Sequence, residues 1–181
     1  MRPHLLILLL LFPLLCTAQH DSRWRVARST DALCFAPAAT GLVVSLVKKD
    51  YKGLLQLAEA EGASLAANYL LELCVKKDRP DGTGHHAFPS THCAVSFTGA
   101  AFLWHRYGWQ YGLPAAALSG YVAWGRCYAK KHDGWDVAAG AVIGIASGWL
   151  LSKPFAQKHN LTVAPVTYEG GGAGLYLSGT F

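Results

Sequence analysis

Apolar residues in this chain come in six blocks separated by short polar or glycine-rich breaks. The first block, over 5–15, follows Met1-Arg2-Pro3-His4 and ends at the small residues Thr17 and Ala18. A short cationic start, an apolar stretch of this length and a small-residue end are the pattern of a secretory leader, expected to be cleaved after residue 18. Polar, basic residues 19–33 read as a surface lead-in helix or loop. Residues 35–47 are apolar with Pro37 near the start, a helix shorter than the roughly 20 residues a bilayer crossing needs. Over 51–75, Leu54, Leu57, Ala58, Leu65, Tyr69 and Leu73 recur at three-four spacing, which predicts a long helix. Glu59 and Glu61 make it amphipathic. Three further helices are expected over 92–104, 113–124 and 136–151. Ser90 is the expected N-cap of the first of these, and Pro114 lies in the first turn of the second.

After residue 160 the period changes from helical to alternating. Leu161, Val163, Val166 and Tyr168, the turn Glu169-Gly170-Gly171-Gly172, and Leu175-Tyr176-Leu177 predict a β-hairpin. The expected fold is therefore all-α, a bundle of five to six helices with a short C-terminal β-hairpin. Its parts are a leader over 1–18, a helical domain over 19–159 and a hairpin tail over 160–181.

The 181 residues suffice for one domain with a real core. Hydrophobic residues make up 52% and charged residues 15%, a composition that points toward a membrane. The formal charge of +5 is spread without a long basic run, which argues against nucleic acid as a partner. Trp104, Trp109, Trp124 and Tyr107 near helix ends fit either an interfacial belt or ordinary core packing. An exported chain meets an oxidising compartment. Cys34, Cys74, Cys93 and Cys127 hold no CxxC pair, and they read as small hydrophobes with disulfides left open.

Candidate chemistry lies in two stretches. In Arg126…His132…Asp136 the histidine and aspartate are four apart, so they can meet on one helical face. A carboxylate on one imidazole nitrogen fixes the tautomer and leaves the other nitrogen to attack or to carry a proton. Arg126 can hold an oxyanion nearby. Upstream stand Lys76-Lys77-Asp78-Arg79-Pro80 and Pro89-Ser90-Thr91-His92. Ser90 and the Thr91 amide lie at an expected helix N-terminus, a place that favours anions. His85 and His86 lack a metal-site spacing with His92, and no metal is expected; they read as a loop at a pocket mouth.

Arg79-Pro80, Pro89-Ser90-Thr91-His92 and Arg126…His132…Asp136 resemble, in order, the three signature motifs of the type 2 phosphatidate phosphatase and vanadium haloperoxidase superfamily. The resemblance spans Arg79 to Asp136. It implies that His132 is the nucleophile, oriented by Asp136, and that His92 is the acid for the leaving group. It assigns Arg79, Ser90, Thr91 and Arg126 to phosphate binding, and Lys76 joins them as the substitute for a cation the pattern places at Glu72. It implies hydrolysis of a phosphate monoester or pyrophosphate on a lipid through a phosphohistidine, with no metal or other cofactor and no obligatory protein partner. The setting it implies is a bacterial envelope membrane, with the site facing the periplasm. A soluble secreted acid phosphatase, a vanadate haloperoxidase and a catalytically weakened phosphate-binding relative use the same residues. Three positions depart from the family pattern: Glu72 stands where a lysine is usual, Thr91 where a glycine is usual, and Gly125 where a serine is usual. Lys76 or Lys77 could replace the missing cation.

Overall fold

The computed structural model describes residues 22–155 and the backbone of the two strands 161–168 and 172–179. The leader expected at 1–18 lies outside the described residues. Six helices follow in order: α1 Ser22–Leu33, α2 Ala36–Val47, α3 Tyr51–Cys74, α4 Thr91–Tyr107, α5 Trp109–Tyr128 and α6 Gly134–Leu150. Strands β1 Leu161–Tyr168 and β2 Gly172–Gly179 pair antiparallel, from Leu161 opposite Gly179 to Tyr168 opposite Gly172. The expected helical bundle with a terminal hairpin is what forms.

Helix ends follow local chemistry. Asp50 caps α3, its carboxylate accepting from the Gly53 amide at 3.0 Å. Gly108 ends α4 with φ of 93°, a conformation glycine adopts without strain, and α5 begins at the next residue. The last helix starts earlier than its expected bound at Asp136. Asp133 is the N-cap and accepts from the Trp135 and Asp136 amides, while the Asp136 carboxylate accepts from the Asp133 amide. This reciprocal capping box places Asp136 inside the first turn. The short helix expected at 35–47 is also extended, because α1 joins it with only a break at Cys34 and Phe35. Ser22–Val47 is together 26 residues, long and apolar enough to cross a membrane.

Helix α4 is the central rod and touches the other five. Its packing depends on small residues. Gly140, Gly144 and Gly148, one turn apart on α6, face the α4 backbone, and a Cβ on them would lie 2.4 Å from Ser90 O, 2.3 Å from Ala94 O and 2.5 Å from Thr98 O. The two backbones thus approach as small residues alone allow. On its other side α4 buries Phe102 and Leu103 against Val44, Leu57 and Ala115. Much of the interior is small or polar: Ser64, Asn68, Ser96, Thr98 and Ser119 are all buried. Large side chains instead face out, among them Leu42 and Leu46 on α2, Leu55, Leu65 and Leu70 on α3, and Val142, Ile145 and Leu150 on α6.

The bundle has two ends. At the far end Arg106 clasps Asp50, with Nε and Nη2 each donating at 2.6 Å to one carboxylate oxygen. Tyr107 donates to the same carboxylate at 2.7 Å, and Arg106 Nη1 donates to Gln56 Oε1 and the Lys153 carbonyl. The near end gathers the C-termini of α3 and α5 and the N-termini of α4 and α6. All three motifs lie there. The four described cysteines are free; Cys34 and Cys93 are buried as expected, whereas Cys74 is exposed and Cys127 half-buried.

Candidate active site

The loop between α3 and α4 is folded on itself before it reaches the motif residues. The Arg79 amide donates to Gly84 O and the Ala87 amide to Lys77 O, both at 2.9 Å. Lys131 ties it to the α5–α6 turn through Asp81, at 2.6 Å, and Thr83. His85 pairs with Asp78 and is largely exposed. The α5–α6 turn closes with the Lys131 and His132 amides on the Arg126 carbonyl.

His132 is brought into the interior, 4% exposed. Its Nδ1 donates to the Ala87 carbonyl at 2.8 Å. That bond fixes the tautomer with Nε2 free, the state a nucleophilic or proton-accepting imidazole needs. Asp136 Oδ2 lies 3.9 Å from the same Nδ1, beyond hydrogen-bond length. The expected pairing of His132 with Asp136 is thus replaced by a backbone carbonyl as the direct partner. Asp136 is fully buried; its two oxygens serve Lys77 Nζ at 2.6 Å and the Asp133 amide at 2.9 Å. Burial opposes the charge on Lys77, but Asp133 and Asp136 together hold its ammonium above the ordinary lysine range. Lys77 in turn holds the Asp133 carboxyl below its ordinary value. Lys76 is exposed, and the cation turned toward the motif residues is Lys77.

Burial pushes the His132 imidazole down to about 4; the Ala87 carbonyl opposes this, and the charges of Arg126 and Arg79 add to it. His132 is therefore neutral at neutral pH. The guanidinium charges of Arg79 and Arg126 act on both His132 and His92, so the two imidazoles share one electrostatic neighbourhood. Arg126 is 2% exposed, and the Nε atoms of Arg79 and Arg126 are buried without a hydrogen-bond partner. Buried guanidinium donors left open are sites for an anion's oxygens.

Ser90 occupies the N-cap position of α4 and is fully buried, but its side chain makes no capping bond. Its amide donates to Asp136 O at 2.9 Å, joining the second motif to the third. Thr91, where the family pattern has glycine, has its hydroxyl accepting from Asn68 Nδ2 on α3 at 2.9 Å. Glu72, where the family pattern has lysine, faces His86 Nδ1 at 3.5 Å.

Asp31 on α1 was not among the expected site residues. Its Oδ1 accepts from Arg126 Nη1 at 2.5 Å and lies 3.1 Å from His92 Nε2. The sequence signal was present: Asp31 is the lone acidic residue between Asp21 and Asp50, in a stretch long enough to span a bilayer. Lys77, Asp133 and the Ala87 carbonyl were likewise missed as site groups.

Known proteins resemble this chain along most of its length. Over its length the chain is similar to the lipid A 4'-phosphatase of Helicobacter pylori strain J99, 26% identical across 181 aligned residues that cover 94% of this chain and 91% of the relative. Its fold is similar to the crystal structure of Aquifex aeolicus LpxE, with a TM-score of 0.59 and 22% identity over 79% of this chain and 93% of that one. It is also similar to the transmembrane PAP2-type phosphatidylglycerolphosphate phosphatase of Bacillus subtilis, with a TM-score of 0.51 and 18% identity over 82% and 91% of the two chains. The model of the PAP2 superfamily matches residues 32–159, which hold all three motifs and most of the helical body. The chain belongs to the PAP2 superfamily and is a phosphoric ester hydrolase.

Proposed function

We propose that this protein removes phosphate from a lipid at a membrane surface through a phosphohistidine on His132. The observation that carries the reading is the pair of buried guanidiniums, each with an open Nε, beside a neutral imidazole whose Nε2 is free. Arg79 and Arg126 neutralise charge on the phosphoryl oxygens, strongest where that charge is spread in the transition state. His132 Nε2 attacks phosphorus and the ester P–O bond breaks. His92 gives its Nε2 proton to the leaving alkoxide. Water then attacks the phosphohistidine, His92 takes a proton from it, and phosphate leaves. Lys77 and Asp136 fix the turn that carries His132.

The lipid part of the reading rests on the outer surface. A bundle with serine, threonine and glycine inside and leucine, valine and isoleucine outside is suited to surrounding acyl chains. Such a surface brings the near end to the level of lipid headgroups. Exposed Trp109 and Trp124 suit an interfacial position. The similarity to a lipid A 4'-phosphatase along nearly the whole chain favours a phosphorylated glycolipid over a simple glycerophospholipid. With a leader at 1–18, the near end would face the periplasm.

The test is phosphate release by detergent-purified protein from a panel of lipid phosphates in EDTA, including lipid A, phosphatidylglycerol phosphate and an isoprenoid diphosphate. Wild type turns over at least one of them, lipid A fastest, and His132→Ala does not. Strict dependence on a divalent cation, or turnover by His132→Ala, overturns the mechanism.

A further inference from the structure

Gly125 stands where related chains usually have serine, and the structure shows what the absent side chain makes room for. A Cβ at Gly125 would lie 2.5 Å from Thr30 Cγ2 and 3.0 Å from Val26 Cγ1. The open face of α5 therefore lets α1 settle directly on it, one residue before Arg126. Thr30 is fully buried in that contact, and its hydroxyl bonds back to the Ala27 carbonyl at 2.8 Å. The next residue along α1 is Asp31. Further contacts hold α1 in register: Ser29 with Tyr121 at 2.9 Å, and Leu33 and Cys34 with Val122.

So placed, one carboxylate oxygen of Asp31 meets two groups of the site at once. It accepts from Arg126 Nη1 at 2.5 Å and sits 3.1 Å from His92 Nε2. The side chain is 53% exposed, while that of Arg126 is 3% exposed. The groups with charge around His92 are Arg79 from the loop, Arg126 from α5 and Asp31 from α1; the thiols of Cys34 and Cys93 lie near the same cluster. Asp31 is the anion of that set. Burial, with the charges of Arg126 and Arg79, brings the His92 imidazole down to about 4, and the Asp31 carboxylate at Nε2 opposes them. Nε2 is the atom from which a leaving alkoxide would take its proton.

We propose that Asp31 is a positioning residue for the proton donor: its carboxylate accepts from His92 Nε2–H and aims that proton until an ester oxygen takes the place of Oδ1. This rests on His92 being the acid at the site described above. In the resting site Asp31 Oδ1 occupies the acceptor position. When the phosphate ester enters between Arg126 and His92, the half-exposed carboxylate yields that position. The P–O bond breaks, the Nε2–H proton passes to the alkoxide, and the neutral imidazole is left to take a proton from the incoming water. Gly125 is part of the same device, since without it α1 could not bring Asp31 to the site.

Leaving groups that need no proton separate this role from a structural one. The full-length protein in detergent is assayed with p-nitrophenyl phosphate, whose phenolate leaves unaided, and with a long-chain alkyl phosphate, whose alkoxide must be protonated. Asp31→Asn is expected to lower kcat/KM for the alkyl phosphate by about 10- to 100-fold, within the ~10²–10⁴ contributed by a complete general acid. Its effect on p-nitrophenyl phosphate hydrolysis is expected to be smaller by about 10-fold or more, since that phenolate leaves without the proton. Asp31→Glu recovers part of the alkyl activity. Gly125→Ser, which displaces α1, reproduces the Asn pattern, with inhibition by orthovanadate as the measure that the phosphate site is still formed. His92→Ala shows the same selectivity more strongly. Equal losses on both substrates in Asp31→Asn, or no loss on either, overturn the proposal while the His92→Ala pattern stands. A His92→Ala protein without leaving-group selectivity overturns the assignment of His92, and with it this inference.

Discussion

The amide of Ser90 donates to the carbonyl of Asp136 at 2.9 Å, so two motifs distant in sequence are one backbone unit at the near end. Gly140 keeps that unit tight, because a Cβ there would lie 2.4 Å from Ser90 O. Gly140→Ala is expected to cost about 1–3 kcal/mol of stability by overpacking and to lower kcat along with it, because the carbonyl it displaces belongs to the α4 cap. Gly144→Ala meets Ala94 O at 2.3 Å, deeper in the bundle, and should cost similar stability with kcat preserved at a permissive temperature. Thermal melting and kcat measured together on the two variants check this.

With His132 as the proposed nucleophile, the reaction is expected to have an acid limit well below the ordinary imidazole range. Its folded value near 4 lies under the unfolded value of about 6.5, so folding resists protonation. The stability it contributes is complete above about pH 6.5 and fades as pH falls toward 4. On substrates whose phosphate titration is corrected for, kcat/KM should hold down to about pH 5 and fall near pH 4. A rising limb centred near 6.5 would show that burial has not suppressed the charge.

Lys77 and Lys76 are adjacent but unlike. Lys77 bridges Asp133 at 2.5 Å and Asp136 at 2.6 Å, and Asp136 is fully buried. Lys77→Met leaves a buried carboxylate with one partner fewer, at a cost of about 1–3 kcal/mol after allowing for the part-exposed lysine. Its kcat should fall as the turn carrying His132 loosens. Lys76→Met should stay within about 0.5 kcal/mol of wild type. A reversed order of effects would place the cation of the first motif at Lys76.

At the far end, Arg106→Ala should destabilise the bundle by about 3–5 kcal/mol, since it strands Asp50 in a buried position. KM should not change, because no group of the near end is touched. Burial raises the Asp50 carboxyl, but the bonds from Arg106 and Tyr107 outweigh it and bring it down to about 2. The clasp therefore stabilises fully above the ordinary carboxylate range and is lost as pH falls toward 2. Melting temperature against pH in wild type and Asp50→Asn checks the sign.

Much of this was legible in the residue order. Periodicity placed α3, α4 and α6 within a few residues, and the motif spacing brought Arg79, His92, Arg126 and His132 to one end of the bundle. Other features depend on contacts between distant segments, which no local pattern carries. Asp136 at four residues from His132 looked like its partner, yet the capping box turns that carboxylate toward Asp133 and Lys77, and the loop supplies Ala87 O in its place. Asp31 looked like part of a polar lead-in because α1 and α2 read as separate pieces. Thr91 and Glu72 looked like obstacles until Asn68 and His86 were seen opposite them.

The close contact of α6 with α4 also sets where this protein can vary. At Gly140, Gly144 and Gly148 no side chain fits, so a library randomised there should return glycine almost alone. On the opposite side of the same helix Val142, Ile145 and Leu150 touch nothing that must be matched in shape, and selection should tolerate any oily residue. One helix would thus record two mutation rates, alternating with each half turn.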